Sequence, residues 1–142
     1  LWAKHCNYQT SLKVPLIIKY PNQKKQIQIN TVVELLDIYP TLCELSNIDK
    51  PNHLQGRSLV NLKDKIPSSS IVYSKYHKGY TATNSKFSYT EWKDKNSEIT
   101  LAKMMYDLEE DPNENVNISE ISSYKENQFK FSIKIDSIKN LD

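Results

Sequence analysis

Lys4-His5-Cys6-Asn7-Tyr8-Gln9-Thr10-Ser11 leads through Lys13 into Val14-Pro15-Leu16-Ile17-Ile18. The apolar run over 14–20 stops at Pro21-Asn22, and a short run of that kind predicts a strand buried on both faces of an α/β sheet. A lysine between Trp2 and His5 then stands at a strand entrance. Loops at such edges present side chains from a rigid scaffold. The three donors and compact charge of Lys4 suit a sulfate or phosphate oxygen. The competing reading, in a chain rich in lysine, is a solvated side chain.

Outward from this stretch, Gln23 to Gln26 is a polar turn, and Ile27 and Ile29 alternate with polar neighbours in a brief extended piece. Thr31-Val32-Val33-Glu34 has the spacing of a capping box, and Leu35, Leu36, Tyr39, Leu42, Cys43 and Leu45 follow a helical stripe. Pro40 forbids an undisturbed helix, so a helix over 34–46 is expected to bend or restart near Asp37, with Pro40 in its first turn. Residues 47–70 read as loop, broken by Pro51, Gly56 and Pro67. Residues 71–77 alternate as a strand. Residues 80–83 and 87–92, joined across Asn84-Ser85, read as a hairpin, and 101–107 as one more strand. Asp111-Pro112-Asn113 is a turn. Beyond Ser119, Phe129, Phe131, Ile133 and Ile135 alternate as in a strand, whereas Ile135, Ile138 and Leu141 keep helical spacing; helix is the preferred reading.

The chain has 142 residues, the size of one domain, with 38% apolar and 25% charged residues. That apolar share is low for a compact domain, and fits a piece whose core is completed elsewhere or a domain with a loose tail. Net charge is +2, and Arg57 is the one arginine. Nucleic-acid binding calls for a basic stripe with guanidinium groups, which is absent. No apolar stretch reaches membrane-helix length. Two cysteines make no disulfide framework; one bridge and two buried thiols are both open.

Several blocks together carry a family resemblance. The stretch from Leu1 to Gln9 and on through Val14-Pro15-Leu16-Ile17 resembles the later part of sulfatases of the iduronate-2-sulfatase and choline-sulfatase type. Lys4, Tyr8, Gln9 and Lys13 take the positions of the family's lysine, aromatic, acidic and basic residues. In family order follow Val33-Glu34-Leu35-Leu36-Asp37-Ile38-Tyr39-Pro40-Thr41-Leu42, Leu54-Gln55-Gly56-Arg57-Ser58-Leu59-Val60, Gly79-Tyr80-Thr81-Ala82-Thr83 with Tyr89-Thr90-Glu91-Trp92, and Tyr106-Asp107-Leu108-Glu109-Glu110-Asp111-Pro112-Asn113-Glu114.

The resemblance implies the edge of an alkaline-phosphatase-like α/β core followed by a small, mostly antiparallel C-terminal subdomain. The expected divisions are 1–66 for the end of the core, 67–118 for the subdomain and 119–142 for a partly helical tail. The implied activity is hydrolysis of a sulfate monoester, on a sulfated carbohydrate or another sulfate ester. The implied cofactors are a divalent metal, with Ca²⁺ first in line, and a formylglycine made from cysteine in a Cys-x-Pro/Ala-x-Arg motif. Neither Cys6 nor Cys43 fits that motif, so nucleophile and metal ligands are expected upstream, and residues 1–142 alone are expected to be inactive and poorly folded. The family's compartments are periplasmic, secreted or lysosomal. Alternatives are a related phosphatase or phosphonate hydrolase and a non-catalytic carbohydrate-binding module.

By this resemblance Lys4 is the catalytic and substrate-binding lysine that answers charge on the sulfate. His5 is a candidate substrate contact or proton carrier, against a packing role. His77 and Lys78 are candidate carboxylate or sugar contacts at the pocket rim. Thr83 stands where the family has arginine, which weakens carboxylate recognition from that strand. Trp92, Tyr80 and Tyr89 suit either a stacking platform or a hairpin core, with core expected for two of the three. His53 reads as a solvated loop residue. Tyr106, Asp107, Asp111 and Pro112 read as a structural turn, lacking the glycine and oxygen spacing of a calcium loop. Asn117-Ile118-Ser119 is a sequon, of use in a secreted eukaryotic protein.

Overall fold

The structure, a computed structural model, describes residues 5–21, 24–60, 70–94, 97 and 99–139. It divides into two units, one made of residues 1–14 with 71–142 and the other of Pro15–Ser70.

The first unit is built on a four-stranded antiparallel sheet: β1 (Val72–Tyr76), β2 (Gly79–Thr83), β3 (Phe87–Lys93) and β4 (Thr100–Asp107), in that spatial order. The hairpin expected across Asn84 is present. Oδ1 of Asn84 accepts from the backbone N–H groups of Lys86 at 2.9 Å and Phe87 at 2.7 Å, the local turn chemistry that asparagine supplies. β1 and β2 meet through His77-Lys78, with His77 at φ 52°. That left-handed conformation is uncommon outside glycine, and histidine is among the residues that adopt it more readily.

Strand alternation gives the sheet two different faces. Ala82, Phe87, Tyr89 and Met105 point to one side and form the core with Ile118, Phe131 and Ile135. The last two come from α3 (Lys125–Lys139), which follows a 3-10 turn at Ser122–Tyr124; a short α1 spans Gln9–Leu12 and α2 Ile38–Leu45. Phe131 meets the rings of Phe87 and Tyr89 at 6.5 and 6.3 Å. The helical reading beyond Ser119 therefore holds, because Gln128, Phe131 and Ile135 make one buried stripe while Phe129 and Ile133 face solvent.

The same face of the sheet carries a buried ionic knot. Glu91, 1% exposed, takes hydrogen bonds from Tyr89 (3.1 Å) and Ser132 (2.9 Å) and pairs with Lys93 at 3.1 Å. Lys93 also reaches Asp136 of α3 at 2.5 Å. Burial lowers the affinity of Lys93 for its proton, but the Asp136 and Glu91 carboxylates outweigh that and raise it. Burial, with the Glu91 charge, also pushes the Tyr89 phenol upward. The opposite face bears hydroxyls: Thr81 and Thr90 hydrogen-bond each other at 2.8 Å, with Ser88 and Thr83 alongside.

The edge of β4 is closed by the sequon. Oδ1 of Asn117 accepts from the Met105 N–H at 2.9 Å, and the Ile118 N–H donates to the Met105 carbonyl at 2.9 Å.

In the second unit the helix restarts at Asp37 as expected. A 3-10 turn over Leu35–Asp37 runs into α2, with Pro40 in the first turn. The capping box uses Glu34 and Asp37, rather than beginning at Thr31. Asp37, buried, accepts from the N–H groups of Glu34 (3.0 Å) and Arg57 (2.9 Å). Thr41 adds a bond from its hydroxyl to the Asp37 carbonyl and accepts from the Leu59 N–H at 2.8 Å. A Cβ at Gly56 would overlap the Leu36 carbonyl, so the loop closes on the helix only with glycine there.

The strand expected over 14–20 is not formed. The segment is non-helical and is not a strand of the described sheet, and Ile17 is 92% exposed. An apolar run supplies the side chains of a buried strand but not the neighbour that would bond its backbone. Leu35, Leu36, Tyr39, Leu42 and Ile48 are exposed as well. Among the described residues no helix is long and apolar enough to cross a membrane.

Candidate functional site

The hydroxyl-bearing face of the sheet is where the segment from His5 to Leu12 lies. Tyr8 packs on Tyr106 of β4 with ring centroids 5.8 Å apart, and their hydroxyls stand 3.5 Å apart. Burial, aided by the Tyr8 hydroxyl, raises the Tyr106 phenol well above its usual range. The Gln9 N–H donates to Oε2 of Glu114 at 2.7 Å, which fastens the start of α1 to the turn after β4. Cys6 and Cys43 are free thiols, and Cys6 Sγ lies 2.9 Å from the Ser11 hydroxyl.

Between this segment and the sheet lies a cavity of about 280 Å³, lined by His5, Cys6, Asn7, Tyr8, Tyr76, His77, Trp92 and Met104. Tyr76 is its middle wall. The His5 ring approaches it at 5.7 Å and the His77 ring edge-on at 4.3 Å. The volume is at the small end for ligand sites, room for one ring rather than a chain of them. Two imidazoles, two tyrosines and a tryptophan around one space offer both proton donors and apolar ring faces.

Gly79 sets how tightly the wall closes. It pairs with Trp92 across β2 and β3, and a Cβ there would overlap the Asn7 Nδ2 and would lie 2.6 Å from the Trp92 Nε1. Asn7 is thereby held against the hairpin, 3% exposed.

His5 and His77, singled out separately in the sequence, are brought together at this cavity. Lys78 is exposed on the turn and is not among the lining residues. Lys4 lies outside the described residues. Of the three aromatic candidates, Tyr89 is core, Tyr80 packs against the core, and Trp92 lines the cavity. Tyr80 also carries the ammonium groups of Lys75 and Lys139 over its ring at 4.8 and 5.1 Å. Asn7, Tyr76 and Met104 were not legible as site residues, since only the register of the hairpin and the Gln9–Glu114 bond bring them together.

Among the described residues no three His, Cys, Asp or Glu side chains gather in a way that could hold a metal ion. The donor set around the cavity has two histidines and no carboxylate, which does not fit a calcium site.

The family model for the C-terminal part of N-sulphoglucosamine sulphohydrolase matches residues 1–140. A sulfatase of Formosa agariphila is 33% identical over 143 residues, covering 99% of this chain and 26% of its own length. Arylsulfatase K of Gallus gallus is 31% identical over 127 residues, covering 79% of this chain and 23% of its own length. The chain thus spans about a quarter of these curated relatives. A solved structure of a protein with its substrate D-glucosamine-2-N,6-O-disulfate superposes with a TM-score of 0.60 at 20% identity, over 73% of this chain and 23% of that one. At that identity the likeness is one of fold.

Proposed function

The chain belongs to the sulfatase family, matching the C-terminal region of N-sulphoglucosamine sulphohydrolase, and from that premise we propose that it supplies one wall of the substrate site in a sulfate-ester hydrolase. The observation that carries this reading is that His5 and His77 both approach the Tyr76 ring and line one small cavity with it. His5 directly follows Lys4, so the segment bearing the family lysine runs into the cavity wall.

The roles follow from chemistry. Lys4 places a fixed ammonium where S–O cleavage develops negative charge, which is worth most where water is excluded. His5 and His77 hold or pass protons to the ester's leaving oxygen or orient the group bearing it. Tyr76 and Trp92 offer faces to a sugar ring. Lys78, exposed on the turn, reaches an anionic substituent outside the cavity. The divalent metal and formylglycine of sulfatases supply activation of the nucleophile and of the sulfate. The residues described here do not fit either group, so both belong to another part of the full-length protein.

The substrate class that suits this wall is a sulfated carbohydrate. The test is turnover by the full-length protein of 4-nitrophenyl sulfate, 4-nitrophenyl phosphate and a phenylphosphonate monoester. Preference for the sulfate ester is expected. Preference for either phosphorus ester sinks the reading in favour of a related phosphatase or phosphonate hydrolase. Sugar binding without any turnover favours a carbohydrate-binding module.

A further inference from the structure

Glu114 is a costly residue to keep where it stands. It is 7% exposed, its backbone lies at φ 54°, and its Oε1 is buried with no hydrogen-bond partner. Left-handed backbone is uncommon outside glycine, and a buried carboxylate is expensive when its oxygens are not all met. Burial, with the Asp111 charge behind it, opposes the ionised form. An apolar side chain of similar length would serve packing as well or better. Backbone strain and desolvation gathered at one residue point to a role other than stability.

What sets Glu114 apart is the segment it holds. Oε2 takes the Gln9 N–H at 2.7 Å, and Gln9 closes the short stretch that begins with Lys4 and His5. Tyr8 on Tyr106 and Asn7 against Gly79 set how closely this stretch approaches the sheet. Those are packing contacts, whereas a hydrogen bond to a charged acceptor is stronger and fixes direction as well as distance. The bond at Gln9 therefore sets the line along which the stretch runs. Glu114 is not among the residues lining the His5–His77 cavity, so any effect it has there passes through the segment.

We propose that Glu114 is a positioning residue for the reaction: through the Gln9 N–H it holds the His5–Tyr8 segment, and Lys4 with it, at the angle that sulfate-ester cleavage requires. This rests on the reading of Lys4 as the lysine of the sulfate site, and it adds the residue through which that lysine is held. An ammonium that answers developing charge is worth most when it is fixed beforehand. A displacement of about 1 Å can cost about a hundredfold in rate.

The test uses the full-length protein with three variants. Glu114→Met has similar length and no acceptor, Glu114→Asp draws the acceptor back by one methylene, and Glu114→Gln keeps an oxygen at full length. Each is made in wild type and in Lys4→Ala. The readouts are kcat and KM on 4-nitrophenyl sulfate, Tm, and the rate at which N-ethylmaleimide labels Cys6, followed by mass spectrometry. Cys6 is a half-buried free thiol within the segment and so reports its release. Glu114→Met and Glu114→Asp are expected to lower kcat by about tenfold to a hundredfold, with little change in KM. Cys6 should label severalfold faster in both, and Glu114→Gln should stay near wild type in kcat and labelling. In Lys4→Ala the same changes should cost little more, because residues that act as a unit do not add. Equal fractional losses of kcat in both backgrounds, with a lowered Tm, would show a general structural role and overturn the proposal. Unchanged kcat or unchanged Cys6 labelling in Glu114→Met would overturn it too, and Glu114→Asp decides by the same criteria should Glu114→Met not fold. A kcat lost in Lys4→Ala but kept in both acceptor variants sinks the proposal alone. A kcat undiminished in Lys4→Ala removes Lys4 from the sulfate site and takes the proposal with it.

Discussion

The backbone N–H of Gln9 reaches Oε2 of Glu114 at 2.7 Å across a separation of 105 residues. Glu114 is itself buried and held at φ 54°, at the end of the Asp111 turn. That bond, together with Tyr8 on Tyr106 and Asn7 against Gly79, fixes where the His5–Tyr8 segment lies on the sheet.

Burial raises the Glu114 carboxyl above its ordinary 4.5, opposed by bonds from the Gln9 N–H and the Ser88 hydroxyl. A carboxyl that binds its proton more tightly when folded contributes stability below 4.5 that is lost as pH rises through its folded value. Glu114→Gln removes this titration and keeps an oxygen for Gln9. Relative to wild type, the variant is expected to gain stability as pH rises from 4.5. Urea midpoints of both proteins from that pH upward provide the check; parallel curves would refute the assignment.

Lys4→Ala is expected to lower kcat of the full-length enzyme by about a hundredfold, on the order of 3 kcal/mol, because the charge it answers grows as the bond breaks. Lys4→Arg should not restore it fully, since a planar fork does not replace a point charge. Lys13→Ala serves as control, with little effect expected. Like values of kcat/KM for Lys4→Ala and Lys13→Ala would remove Lys4 from the sulfate site.

Gly79→Ala has no backbone obstacle, as no glycine among the described residues has a positive φ. What it meets is Asn7 and the Trp92 indole. Overpacking of this kind costs about 1–3 kcal/mol. Thermal unfolding should show it, while the neighbouring exposed Lys78→Ala should stay within about 0.5 kcal/mol of wild type. A Gly79→Ala protein as stable as wild type would mean that Asn7 and Trp92 have room to move.

Lys93→Met leaves Glu91 charged and buried, a change that costs about 3–5 kcal/mol. Asp136, with its side chain 46% exposed, should matter far less to Lys93 than Glu91 does. Denaturation of Lys93→Met, Asp136→Asn and the double variant measures both terms. A larger loss from Asp136→Asn than from Lys93→Met would contradict the burial argument.

The elements legible in the sequence are those whose signals are local. The hairpin around Asn84 announced itself through β-branched and aromatic alternation and a turn residue that bonds its own backbone. Asp37 and Pro40 marked the helix restart for the same reason. The run over 14–20 misled, since its side chains look like those of a buried strand while strand pairing depends on a distant partner. The alternation of Phe129, Phe131, Ile133 and Ile135 competed with helical spacing, and burial of Phe131 and Ile135 against the sheet decided it. At the cavity, His5 and His77 stood out by residue type, but their meeting is a product of the β1–β2 turn and the Glu114 anchor. Asn7 gave no signal, because an asparagine in a non-repetitive segment reads as turn chemistry.

The first unit is discontinuous: Pro15–Ser70 is interposed between the His5 segment and the sheet it lies on. On a ribosome adding about 5–20 residues per second, Gln9 waits roughly 5–20 s for Glu114 to be made. Closing so long a loop carries an entropic cost that local pairs such as β2 with β3 escape. The hairpins can form while their partner segment is still adrift, and the His5 segment is anchored only once Glu114 has been made. A premature stop just after β4 would take away both the Glu114 anchor of Gln9 and the Ile118, Phe131 and Ile135 side of the sheet's core.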